Sequence, residues 1–130
     1  MFEQFIRIMP NAFSEKSAAT WAEGKDCLAR GHVNTAANRI YYSVFQAVKG
    51  FANQRGLMNS SEGVHGEALK IVGGEGGKGS FYRRRLNELF ALRIIADYKV
   101  ESVDQKELEE LLEDADSIRK HHIRIAGGGI

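Results

Sequence analysis

Apolar residues recur along this chain at three- and four-residue spacings and nowhere alternate, a pattern that predicts helices and no sheet. A first helix is expected from Ser14, as N-cap, to about Arg30, with Gly31 as its stop. Ala18, Trp21, Ala22, Leu28 and Ala29 share one side of it. Asn34 is placed to cap a second helix that runs to about Arg55 and stops at Gly56. Its apolar side holds Ala37, Ile40, Tyr41, Val44, Ala47, Val48, Phe51 and Ala52. Residues 56–80 are the irregular part, with room for one short helix in "VHGEALKIV" before the glycines of "GGEGGKG".

Ser80 is placed to cap a third long helix over about 81–100, whose inward side carries Tyr82, Leu86, Leu89, Ala96 and Val100. The last helix starts near Ser102 or Asp104, each with Gln or Glu three residues on, the capping-box spacing, and ends near His122–Ile125. Leu108, Leu111, Leu112, Ala115 and Ile118 form its apolar stripe. Glu107, Glu109, Glu110, Glu113, Asp114 and Asp116 form a solvated acidic face. The sum is an all-α, antiparallel up-down bundle of four to five helices. It forms a single domain over 1–130, with an N-terminal extension (1–12), a glycine-rich loop (56–80) and a tail (126–130).

Two positions break the pattern. Tyr41 and Tyr42 are adjacent, so on a helical wheel only Tyr41 joins the core. Tyr42 falls among Asn38, Arg39, Gln46, Lys49 and Asn53. It is either an amphipathic ring packed on a neighbouring helix or the wall of a groove or interface. Arg93 stands in the middle of the inward side of the third long helix, with Asp97 one turn on. A guanidinium there requires a partner. Arginine before aspartate is the weaker order along a helix, so the pair serves something other than local helicity. Ile94, Ile95 and Tyr98 lie outside the inward arc, and a helix apolar nearly all round is buried on two sides. They are the candidate dimer interface.

Net charge is +1, which neither favours nor excludes nucleic acid. Cys27 is the one cysteine, so no intrachain disulfide forms, as suits a reducing cytoplasm. No apolar run is long enough for a signal peptide or a membrane span, so a cytoplasmic protein without membrane contact is expected.

"GGEGGKGS" is not a phosphate loop: Val72 and Gly79 stand where a glycine and a Ser or Thr are needed. His121 and His122 lack a carboxylate or histidine one turn earlier, so no metal site and no cofactor are read. A ligand set would need distant partners such as His32 or His65. His122 on the apolar stripe reads as a hydrogen-bonded core histidine. Arg83, Arg84 and Arg85, with Arg119, Lys120 and Arg124, form either a basic rim for phosphates or a solubilising surface.

"AANRIYYSVFQAV" and "LRIIADY", in this order and flanking a variable loop, resemble the A-x-x-R-x-Y-Y-x-x-F and R-x-x-A-D-Y motifs of the HEPN family, across about residues 14–122. The resemblance implies a helical homodimer with a polar cleft near its axis. It also implies binding of RNA or a nucleotide, and pairing with a minimal nucleotidyltransferase in a toxin–antitoxin-like system. Arg39, Tyr42, Gln46, Arg93 and Asp97 are the cleft candidates, with Arg93 as the phosphate contact.

Catalytic members carry R-x(4–6)-H. Here no arginine has a histidine five to seven positions downstream; after Arg93 those places hold Tyr98, Lys99 and Val100. A non-catalytic binding protein is therefore expected. One alternative is a metal-independent ribonuclease that borrows His65 or His122. The other is a protein-interaction module without nucleic acid.

Overall fold

A computed structural model describes residues 2–57 and 64–128, and the part of the irregular loop at 58–63 lies outside it. Among the described residues five α-helices follow one another: α1 (Phe2–Ala29), α2 (Val33–Arg55), α3 (Val64–Gly73), α4 (Gly79–Tyr98) and α5 (Gln105–Ile123). A π-helical turn, Arg124–Gly128, closes the described chain. Among the described residues there is no strand, and no helix is long and apolar enough to cross a membrane. This is the expected all-α bundle.

The central element is α2, which packs on α1, α4 and α5. Ala36, Ala37, Ile40, Val44 and Val48 are wholly buried and meet Leu86 and Leu89 of α4 and Leu108 and Ile118 of α5. The expected stripe on the last helix is the observed one. Asp104 caps it, its carboxylate accepting from the Glu107 amide at 3.1 Å.

Several local expectations are corrected. The first helix begins at Phe2 rather than Ser14, and Ala18, Ala22 and Ala29 are exposed. Over residues 12–29, the described part of its side chains, the buried positions are Ser17, Thr20 and Gly24. Ser17 Oγ donates to the Ser43 carbonyl at 2.6 Å. A Cβ on Gly24 would lie 2.7 Å from Ile40 Cδ1 and 3.2 Å from the Ile40 amide nitrogen. Small residues thus bring the two helices into near backbone contact.

Asn34 does not cap α2: its Oδ1 accepts from the Val103 amide at 2.8 Å, fastening the loop before α5. Ser80 does not cap α4, which begins one residue earlier, at Gly79. Val100 is fully exposed because α4 has already ended at Tyr98. The tail expected from 126 starts inside the π-helical turn, where Ala126 is buried.

Candidate functional site

The arginine on the core face of α4 is met from α2. The two helices run antiparallel, so one turn forward on α2 matches one turn back on α4: Asn38 faces Asp97, and Tyr42 faces Arg93. Arg93 Nη2 donates to the Tyr42 hydroxyl at 2.7 Å. Its Nε lies 3.1 Å from Asp97 Oδ2, an ion pair off hydrogen-bond alignment. Asn38 Nδ2 donates to both Asp97 oxygens, at 3.0 and 3.1 Å, while Asn38 Oδ1 accepts from the Arg39 guanidinium.

A chain of contacts therefore runs Arg39–Asn38–Asp97–Arg93–Tyr42 across the α2–α4 seam. It resolves the two sequence anomalies together. The Tyr42 hydroxyl is a partner for the buried-face arginine, and the i,i+4 pair is tied to a second helix.

Aromatic rings surround the guanidinium. Arg93 Cζ lies 5.0 Å from the Tyr42 centroid, 5.7 Å from Tyr41, 5.8 Å from Phe90 and 5.9 Å from Tyr98. Such faces attract a cation as they exclude water. A cleft of about 250 Å³ opens here, lined by Tyr41, Tyr42, Phe45, Val64, His65, Phe90 and Arg93. Nη1 of Arg93 makes no hydrogen bond among the described residues, so a donor remains for an anion.

His65 enters the cleft from α3. Its ring stacks on Phe90 at 3.6 Å, with 11° between the planes. Nδ1 lies 2.9 Å from the Tyr41 hydroxyl, and Nε2 lies 3.3 Å from Asn87 Oδ1. An amide oxygen only accepts, which assigns the proton to Nε2 and leaves Nδ1 to accept from Tyr41. Burial pushes the imidazole below its ordinary value, and the nearby Arg93 charge adds to this against the Asn87 bond. Burial likewise pushes the Tyr41 phenol up, with Arg93 opposing. Tyr41 is thus a core residue with a wired hydroxyl.

Of the residues read from the sequence, Arg39, Tyr42, Arg93 and Asp97 converge. Gln46 stands one turn beyond Tyr42 and does not line the cleft; its Oε1 is buried without a hydrogen-bond partner among the described residues. Asn38, Phe90 and Asn87 complete the site. Asn38 carried a signal, since it sits four residues before Tyr42 on the same polar face. Phe90 and Asn87 carried none. Ile94 and Ile95 are half-buried, and Tyr98 is 70% exposed.

His122 is remote from this cleft. It is fully buried beside Phe51, at the other end of α2, as the core histidine expected. Three of the six basic residues are engaged at close range by acidic partners. Arg85 pairs with Asp114 and Glu88, Arg119 and Lys120 both pair with Asp116, and Arg119 is itself buried over Trp21.

A family model described as the HEPN domain matches residues 12–125. No curated protein and no solved structure matches the chain.

Proposed function

The chain belongs to the HEPN family, and we propose that it is a non-catalytic, dimeric member that binds RNA or a nucleotide through a phosphate in the Arg93 cleft. The observation that carries this reading is the guanidinium itself. It is held on a core face by Asp97 and Tyr42, ringed by aromatics, and its Nη1 makes no hydrogen bond among the described residues. A fixed, partly desolvated guanidinium suits bidentate phosphate contact, and the rings offer surfaces for a base. Asp97 orients the arginine, and Asn38 orients Asp97. The minimal nucleotidyltransferase partner and the toxin–antitoxin-like setting rest on the family resemblance.

Ribonuclease chemistry is the second reading, favoured by His65 lying in the same cleft as Arg93. Proton transfer from a 2′-hydroxyl needs a histidine nitrogen free to reach it. Both nitrogens of His65 are engaged, by Tyr41 and Asn87, which supports a strut rather than a base. Fully buried and at the far end of α2, His122 supports this reading no better.

One gel tests both readings. Wild type, Arg93→Ala and His65→Ala are incubated with end-labelled structured RNA without added metal, then run on native and denaturing lanes. The expected result is a wild-type shift that Arg93→Ala loses, with no cleavage in any lane. Cleavage that disappears in His65→Ala would establish the ribonuclease instead. A wild-type shift retained by Arg93→Ala, with Arg93→Met more stable than wild type, would make the arginine a structural relic and overturn the binding site. An absent shift, together with a protein complex insensitive to salt, would point to a protein-interaction module.

A further inference from the structure

At the other end of the bundle, the glycine-rich segment does what no residue spacing predicts: it carries a carboxylate onto the adjacent histidines of α5. Gly76 and Gly77 have φ of +74° and +51°, conformations that side chains resist. The turn they make sets Glu75 against the helix. Glu75 Oε1 lies 2.6 Å from His122 Nε2, and Oε2 lies 3.5 Å from His121 Nε2. One donor atom from each of the three residues falls within 4.8 Å of the other two.

We propose that Glu75, His121 and His122 form a binding site for a divalent transition-metal ion, zinc foremost. Two imidazoles and one carboxylate are the donor set that zinc takes when it keeps a further position open. Three features of the molecule argue for it.

His122 is preset as a ligand. Its Nδ1 lies 2.7 Å from the Ile118 carbonyl, which can only accept, so Nδ1 carries a proton and Nε2 is the atom turned to Glu75. A backbone carbonyl behind the distal N–H is the usual support of a metal-bound histidine. A ring nitrogen held against a carboxylate in a fully buried ring requires either a cation between them or a proton on the nitrogen.

His121 turns its ring to the same carboxylate, with Nε2 3.5 Å from Glu75 Oε2. Arg124 Nη2 donates to Nδ1 at 3.0 Å, so the proton sits on Nε2. Binding moves that proton to Nδ1 and displaces Arg124, which is exposed and has room to turn away.

An open space adjoins the group. A cavity of about 330 Å³ is lined by Glu75, Gly76, Gly77, Lys78, Tyr82, His121 and Arg124. It supplies an entry path and space for the remaining ligand. Zinc bonds of about 2.0–2.2 Å set donors roughly 3.3 Å apart in a tetrahedron. The observed separations bracket that figure, and Glu75, on a glycine-flanked turn, is free to make the adjustment. The bound ion would pin the loop before α4 to the C-terminal end of α5.

The full chain, freed of metal by a chelator and dialysed, is titrated with Zn²⁺ by calorimetry, and its melting temperature is followed in parallel. The proposal expects saturable binding of one ion per chain and a higher melting temperature. Glu75→Gln and His121→Ala should each weaken binding by roughly tenfold or more. Exposed His32 is the control, and His32→Ala should bind as wild type does. Arg124→Ala should bind as tightly or more tightly. No saturable binding, or equal binding by Glu75→Gln and wild type, would overturn the site and leave a histidine–carboxylate ion pair that holds the loop.

Discussion

Arg93 Nη2 donates across 2.7 Å to the hydroxyl of Tyr42, joining α4 to α2 at the point where each helix departs from its pattern. Tyr42→Phe keeps the ring under the guanidinium and removes only the acceptor. A hydrogen bond to a charged group contributes about 1.5–3 kcal/mol. With the Arg93 side chain 16% exposed, water makes up part of that loss, and a destabilisation of about 1–2 kcal/mol is expected in urea unfolding. An unchanged midpoint would mean that the bond holds nothing.

Phosphate contact by Arg93 has a salt signature. Each neutralised phosphate of a single strand contributes about 0.7 to the slope of log K against log salt. Arg93→Ala should lower affinity and reduce that slope by about this amount. A weaker affinity at unchanged slope would place Arg93 in support of the cleft and not on the phosphate.

The imidazole of His65 is depressed from its ordinary 6.5 by burial. The folded state then holds fewer protons than the unfolded state below that pH. Stability is present at neutral pH and is lost as pH falls from about 6.5 through the folded value. Unfolding free energies at pH 7.5 and 5.5 should differ by more in wild type than in His65→Phe. That variant keeps an aromatic ring against Phe90 but does not titrate. Its overall stability should be lower, because the Tyr41 hydroxyl and Asn87 lose a partner.

The bundle was legible where burial is carried by large apolar side chains. The α5 stripe and its Asp104 cap follow from spacing alone, as does the division of labour between Tyr41 and Tyr42. It was not legible where burial is carried by small or polar ones. Ser17, Thr20 and Gly24 do not read as a core face, yet α1 buries them among its described side chains, because they let α2 approach. Asn34 and Ser80 satisfy the local rules for caps, but tertiary partners and an earlier helix start decided otherwise. The Arg93–Asp97 pair announced itself as a charge in the wrong place. Its tie to Asn38 is a matter of inter-helix register, which no single-helix pattern contains. Glu75 reaches His122 across 47 residues through two left-handed glycines, a contact visible only in three dimensions.

The α1–α2 approach makes its own prediction. In Gly24→Ala the new Cβ would fall 2.7 Å from Ile40 Cδ1 and 3.2 Å from the Ile40 amide nitrogen, which no rotamer change moves, and Ile40 is fully buried. Overpacking of this kind costs about 1–3 kcal/mol. Alanine returns roughly 1 kcal/mol of helix propensity. A net loss of up to about 2 kcal/mol is expected in thermal or urea unfolding. A gain in stability would mean that the helices separate at little cost.

The C-terminal end of α4 predicts the oligomeric state. Tyr98 is 70% exposed and Val100 fully so, beside the half-buried Ile94 and Ile95. Apolar groups gathered at one end of a helix gain free energy when a second copy covers them. A homodimer is expected in light scattering at micromolar concentration, and Tyr98→Glu should shift it to monomer by placing an uncompensated charge in the seam. The Tyr98 ring centroid lies 5.9 Å from the Arg93 guanidinium carbon, so the seam would border the cleft. The monomeric variant should therefore bind RNA more weakly, although Arg93, Asp97 and Tyr42 are all intact. Full RNA affinity in a monomeric Tyr98→Glu protein would separate the two surfaces, and a monomeric wild type would remove the dimer altogether.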